Sequence, residues 1–179
     1  MITIAVGTFL YGFDELVLAA DRTVATLGLE AFAQIGHSGV EPRHMRFERF
    51  LTHSRLIRQL RSSRLLIAHA GVGLIMDGLG AGCGVIVVPR RGRISRRNPV
   101  NDQLPFARRL AAEVPIVICE RSERLTETVR DHLAAPPVSF HRRANEAPAL
   151  IAAFLARCRQ GTRDAGIAEP LTGRDRRRT

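Results

Sequence analysis

Between Leu65 and Arg91 the chain reads LLIAHAGVGLIMDGLGAGCGVIVVPRR, two short apolar runs set around a glycine-studded middle. A strand that is apolar at every position has no face to give to water, so both of its sides must be covered. Similar β-rich runs recur at Ile2 to Val6 (ITIAV), Ala31 to Gly36 (AFAQIG), Met45 to Leu51 (MRFERFL) and Pro115 to Glu120 (PIVICE). Between the first two, Phe13, Leu16, Val17, Ala20 and Val24 repeat at helical spacing and form one stripe able to cover a sheet. Leu56, Ile57 and Leu60 repeat the pattern, as do Leu74, Ile75 and Leu79. Strands alternating with helices at this pitch imply right-handed βαβ units, so the expected fold class is α/β with a doubly wound parallel sheet.

A chain of 179 residues fits one domain of ordinary size. After Pro136 and Pro137 the pattern weakens, although Ala149 to Arg159 reads as a last helix; beyond it Gly, Pro and Arg dominate with few apolar anchors. The expected organisation is therefore one domain over residues 1–159 and an Arg-rich disordered tail over 160–179. No run approaches the ~20 apolar residues a membrane helix needs. The opening MITIAVGTFLYGFDE lacks the basic start of a signal peptide, which predicts an intracellular protein. Cys83, Cys119 and Cys158 lie far apart without metal-ligand spacing and read as buried reduced thiols.

The net charge of +10 raises the question of a nucleic-acid partner. Against it, all 27 basic residues are Arg, a sign of coding bias, and much of the excess falls in Arg90 to Arg97 (RRGRISRR) and in the terminal GRDRRRT, runs of the kind that form solvated loops and ends. The expectation is no nucleic acid, with an Arg-rich nucleic-acid binder kept as the remotest alternative.

In an open parallel sheet ligands bind beyond the carboxyl ends of the strands. Three junctions there are rich in candidates: Val6 to Gly12 (VGTFLYG), Ala68 to Gly73 (AHAGVG) and Val88 to Gln103. Gly71 and Gly73 open a helix directly after a strand, which suits a diphosphate, although glycine at such a turn also serves tight packing alone. Asp77, farther along that helix, is placed to accept hydrogen bonds from a ribose diol, or simply favours the helix dipole. His69 either faces the ledge or is a satisfied histidine at a strand end. The chain has no G-x-x-x-x-G-K-[ST], its first turn is not G-x-G-x-x-G, and no acid ends the second strand, so a P-loop nucleotidase and a nicotinamide dehydrogenase are both poorly supported. His37 and Ser38 lack the elbow of a hydrolase nucleophile.

Taken together, VGTFLYGFDEL, QIGHS, RFERFL, IAHAGVGLIMDGLGAG, VIVVPRR and NDQLPFARRLA resemble the C-terminal, nucleotide-sugar-binding half of the GT-B glycosyltransferases of family 28, from about Ile2 to Cys119. The likeness is to the short members: the catalytic subunit of the dolichol-linked N-acetylglucosamine transferase, and the small subunit of two-part exopolysaccharide glucuronosyltransferases. The length agrees, since a two-domain enzyme needs roughly twice this chain.

The resemblance implies a UDP-sugar donor along the carboxyl edge of a Rossmann-like sheet, a lipid-linked acceptor, and a membrane-anchored partner subunit that supplies the other half of the cleft. It implies a cytoplasmic protein, peripheral at the membrane through that partner. Phe50 and Leu51 would then line the uracil site, Gly71, Val72 and Gly73 would offer amides to the diphosphate, and Asp77 would stand for the ribose-binding acid. Asp102 and Gln103 match a sugar-contacting pair, and Gly7 and Thr8 match the loop facing partner and acceptor. The implied reaction is an inverting transfer with no metal and no cofactor. The base is expected from the other half, with His69 and His37 as weak candidates in this one.

Three features depart from the pattern. Arg97 and Asn98 stand where relatives commonly carry Glu-His, Asn101-Asp102-Gln103 lacks the His that relatives carry before Gln, and Cys83 stands where Lys is frequent. The first leaves open a non-catalytic nucleotide-sugar-binding or regulatory module of the same fold.

Overall fold

Six strands form one parallel sheet in the order β3-β2-β1-β4-β5-β6. They are β1 (Ile2–Ala5), β2 (Ala31–Gln34), β3 (Arg46–Glu48), β4 (Leu65–Ala68), β5 (Gly84–Val87) and β6 (Val117–Ile118). Between them run α1 (Asp14–Leu27), α2 (His53–Arg61), α3 (Val72–Gly80) and α4 (Leu104–Ala111), and α5 (Leu125–Ala134) follows a 3-10 turn at Ser122–Arg124. This architecture comes from a computed structural model that describes residues 1–92, 101–136 and 140. The last helix, the tail, the boundary at 159 and Arg97-Asn98 all lie outside the described residues.

Each of the six apolar runs contributes a strand, and the fold class is α/β as the alternation of runs and stripes implies. The pleat then sorts side chains between two cores. Ile2 and Ile4 of β1 and Val6 just beyond it point with Leu65, Ile67 and Ile86 toward Leu16, Val17, Ala20 and Val24 of α1 and Leu125 and Val129 of α5. Their neighbours Ala5, Leu66, Ala68, Val85 and Val87 point the other way, toward Leu60 of α2, Ile75 and Leu79 of α3 and Ala107 of α4. Almost all of these positions are shut off from water, the burial that dominates folding free energy. Polar groups among them are matched, as where the Thr3 and Ser63 hydroxyls share a hydrogen bond of 2.7 Å.

The strands are shorter than their apolar runs. Pro115 brings no N–H to the ladder, and β6 keeps only two residues. Pairing outlasts β2 by a short way, since the Ile35 and Gly36 amides donate to the Glu48 and Arg49 carbonyls at 3.0 and 2.8 Å.

The order of the strands places the site. From β1 the chain winds outward to β2 and β3, then α2 carries it back so that β4 lies on the other flank of β1, in register with it from Ile2↔Leu65 to Ala5↔Ala68. Winding therefore reverses between β1 and β4. The loops leaving these two strands diverge to opposite faces and open a crevice at the sheet's carboxyl edge.

Candidate functional site

A cavity of about 620 Å³ occupies that crevice. Gly7, Thr8, Phe9 and Leu10 from the β1–α1 loop form one wall, and His69, Gly71, Val72, Gly73, Leu74 and Asp77 form the other. Gln34, Leu51 and Leu56 close the third side.

The β1–α1 wall is held by side chains from elsewhere. Gly7 has φ of 76°, a left-handed conformation that glycine adopts without strain. Its N–H donates to Gln34 Oε1 at 2.9 Å, and its carbonyl accepts from Gln34 Nε2 at 3.0 Å. The same Nε2 also donates to the Arg49 carbonyl at 2.8 Å, so one buried amide at the end of β2 fixes two loops. At the far end of the loop, Gly12 lies against the Ser38 backbone, and Ser38 Oγ accepts from the Phe13 N–H at 2.9 Å. Ser38 is thus a structural anchor for α1.

The β4–α3 wall is bare by comparison. Gly71 is the N-cap of α3 and brings no capping side chain, and the first turn holds no acid. The amides of Val72, Gly73 and Leu74 have no hydrogen-bond partner among the described residues. Three donors and the positive end of the helix therefore face the cavity, an arrangement suited to an anion.

His69 joins the two walls. A Cβ on Gly7 would come 2.7 Å from its Cε1, and one on Gly71 would come 2.5 Å from its Nε2, so the ring lies between two bare backbones. Burial first, and then the Arg90 charge, lower its pKa to about 4. The imidazole is neutral at physiological pH, and its Nδ1 is buried without a hydrogen-bond partner among the described residues.

Asp77 lies past the first turn of α3, and its Oδ2 is 3.1 Å from Nε2 of His53 at the start of α2. Leu51 lines the cavity, whereas Phe50 does not; Phe50 is exposed and packs edge-on against the His37 ring with centroids 4.9 Å apart. His37 is likewise outside the lining.

Asp102 and Gln103 also lie outside the lining, on the β5–α4 connection. Gln103 Oε1 accepts from the Ala70 and Arg90 amides at 3.2 and 3.1 Å and ties the ends of β4 and β5 together. Asp102 Oδ1 accepts from the Leu104 N–H at 3.0 Å and pairs with Arg91 Nε at 3.4 Å. The structure thus brings together Gly7, Thr8, Leu51, His69, Gly71, Val72, Gly73 and Asp77, and sets Phe50, Asp102 and Gln103 apart from them.

One expectation is corrected. Arg90 opens the basic run that reads as solvated, yet it is only 7% exposed. Two of the three aromatic rings of the β1–α1 segment, Phe9 and Phe13, have centroids 5.3 and 4.4 Å from its guanidinium carbon, and cation–π contact with them replaces water. Sequence reasoning also passed over Gln34 and His53. Gln34 carried a signal, being a polar residue inside an apolar run; His53 carried none.

Cys83 and Cys119 are free and buried, and burial lifts the Cys83 thiol to about 11. Among the described residues, no group of three or more His, Cys, Asp or Glu is arranged to hold a metal ion. No helix among them is long and apolar enough to cross a membrane.

The family model described as the glycosyltransferase family 28 C-terminal domain matches residues 1–155. No curated protein matches the chain. Among solved structures, the glycotransferase of kitacinnamycin superposes with a TM-score of 0.58 at 18% identity, over 75% of this chain and 35% of that one. The calicheamicin glycosyltransferase CalG4 gives 0.54 at 14% identity, over 73% of this chain and 34% of its own. Both likenesses show the fold, and this chain spans about a third of either protein's length.

Proposed function

The chain belongs to the glycosyltransferase family 28 C-terminal domain family, and from that premise we propose that its cavity holds the nucleotide diphosphate of a UDP-sugar donor. The observation that carries this is the uncapped start of α3, where three unpaired amides meet a neutral histidine at the strand-order reversal. In this reading the Val72, Gly73 and Leu74 amides hold the pyrophosphate, and Asp77, steadied by His53, accepts from the ribose hydroxyls. Leu51 and Leu56 lie against the base. Gly7 and Thr8, on the opposite wall, face the acceptor.

The chemistry follows from the amides. When an acceptor hydroxyl displaces UDP from the anomeric carbon, negative charge grows on the leaving diphosphate. Donors already fixed by the fold stabilise that charge without reorganising. The acceptor's proton goes to a base on the other side of the cleft, so this chain is the donor-binding catalytic subunit of an inverting transferase. We assign it to a heteromer whose membrane-anchored partner presents a lipid-linked acceptor, with transfer of a hexosyl or glucuronosyl unit in exopolysaccharide synthesis at the cytoplasmic face. Phe9, Leu10, Tyr11 and Val72, all exposed on the rim, are apolar surface for that partner to cover.

A second reading, a donor-binding module without turnover, draws on Gln103. Its carbonyl oxygen is engaged by two backbone amides and it lies outside the cavity lining, so the residue matched to a sugar contact has a structural task here.

Calorimetric titration with UDP and with UDP-sugars is the test, followed by transfer assays with and without the candidate partner. Saturable UDP binding with turnover only in the pair is the expected result. Binding without turnover in the pair selects the second reading. No UDP binding by the folded chain, or robust transfer by the chain alone, defeats the proposal.

A further inference from the structure

Arg90 does not line the cavity, yet it is buried as deeply as many core residues. A guanidinium keeps its charge inside a protein, and removing it from water is costly unless its donors are met. Among the described residues no carboxylate pairs with it. Two of its nitrogens go instead to backbone, Nη1 to the Gly12 carbonyl and Nη2 to the Val6 carbonyl at 3.3 Å, while Nε is buried with no partner among the described residues. Those two carbonyls bracket the segment from Gly7 to Tyr11, whose first four residues form one wall of the cavity. Phe13 and Phe9 cover the guanidinium. The Arg90 N–H is held in turn by Gln103 Oε1, which also holds the Ala70 N–H beside the α3 start.

We propose that Arg90 is a positioning residue that clamps the β1–α1 loop at both ends, so that this wall of the cavity has its binding shape before any ligand arrives. The planar fork explains why arginine serves here. Two carbonyls several residues apart must be bridged from one side chain, and an ammonium cannot span them in a fixed plane. The carbonyl hydrogen bonds and the two rings offset part of the cost of burying the charge, and the clamp adds to the Gln34 and Ser38 contacts that also hold this loop. The clamp is a statement about the unliganded fold; its bearing on nucleotide affinity rests on the donor-site reading.

The experiment compares the native full chain with Arg90→Met and Arg90→Lys, first without ligand. Amide hydrogen exchange at Gly7 and Gly12 is expected to be slow in the native chain and about tenfold or more faster in Arg90→Met, with β4 amides unchanged. Arg90→Lys, keeping a donor but not the fork, is expected to fall between. An NMR titration of His69 supplies a second readout: its midpoint is expected to rise from about 4 in Arg90→Met, where the neighbouring charge and part of the burial are both lost. It is expected to rise less in Arg90→Lys, which keeps the charge, so that a rise there reports water reaching the ring through a loosened loop. UDP affinity is then expected to fall about tenfold in Arg90→Met. Native-like loop exchange in a folded Arg90→Met overturns the clamp, and so does a His69 midpoint in Arg90→Lys equal to that of the native chain. If Arg90→Met does not fold, the native chain decides: slow exchange at Gly7 and Gly12 supports the clamp and fast exchange overturns it. Should the native chain not bind UDP while the ligand-free results hold, the donor reading falls and the clamp stands.

Discussion

Helices α1 and α3 start at the same edge of the sheet, after neighbouring strands, and their first turns differ in charge. At α1 the Phe13 amide meets Ser38 Oγ, and the first turn carries Asp14 and Glu15. Asp14 Oδ1 accepts from the Gly39 N–H at 2.8 Å, and Glu15 Oε1 accepts from Ser122 Oγ at 2.6 Å. The positive end of that helix is neutralised from within the protein. At both helices the cap amide is paired and the next three amides have no partner among the described residues, so the difference is one of charge: α3 has a glycine cap and no acid in its first turn. Of the two helix starts, the one without an acid keeps its positive end uncompensated.

The largest expected effect lies where the two loops meet. The folded pKa of His69, about 4, is below the usual 6.5, so between those values the unfolded chain binds a proton that the native ring refuses. Stability should be full above pH 6.5 and fall by about 3 kcal/mol as pH drops to 4. Urea melts across this range check it, and an equal loss in a His69→Asn variant removes His69 as the cause. Next, Asp77→Ala should weaken UDP binding by about 1.5 to 3 kcal/mol, or about tenfold to 150-fold, by calorimetry. Unchanged affinity in the folded variant refutes the ribose assignment.

The contrast between the helices can also be attacked directly. Val72→Asp gives α3 the acid that α1 already has. It should stabilise the unliganded protein by about 0.3 to 1 kcal/mol while weakening UDP binding about tenfold. Ser38→Ala removes the α1 anchor and should cost about 1 kcal/mol of stability, with UDP affinity unaltered. Equal responses of binding to both substitutions would erase the distinction.

Much of this edge was legible in the sequence because its signals are local. LLIAHA and VIVVP are strands since nothing in them can face water, and Gly71 and Gly73 mark a helix start by position. The contacts that give the cavity its shape are not local. Arg90 reaches Gly12 and Val6 across 78 and 84 residues, and Gln34 reaches Gly7 across 27. A basic run looks the same on paper whether its first member is solvated or buried under two phenylalanines. Gln103 shows the same limit: its type and place agree with a sugar contact, but only the fold reveals that its carbonyl oxygen joins β4 to β5.

The imidazole at position 69, set between Gly7 and Gly71, has a consequence for anyone who would rebuild this cleft. The three positions behave as one part, because a methyl group on either glycine displaces the ring, and a side chain without a flat face leaves both backbones without a neighbour. Grafting the pocket onto another parallel sheet means moving glycine, histidine and glycine together, and a library that varies any one of them alone samples mostly broken pockets.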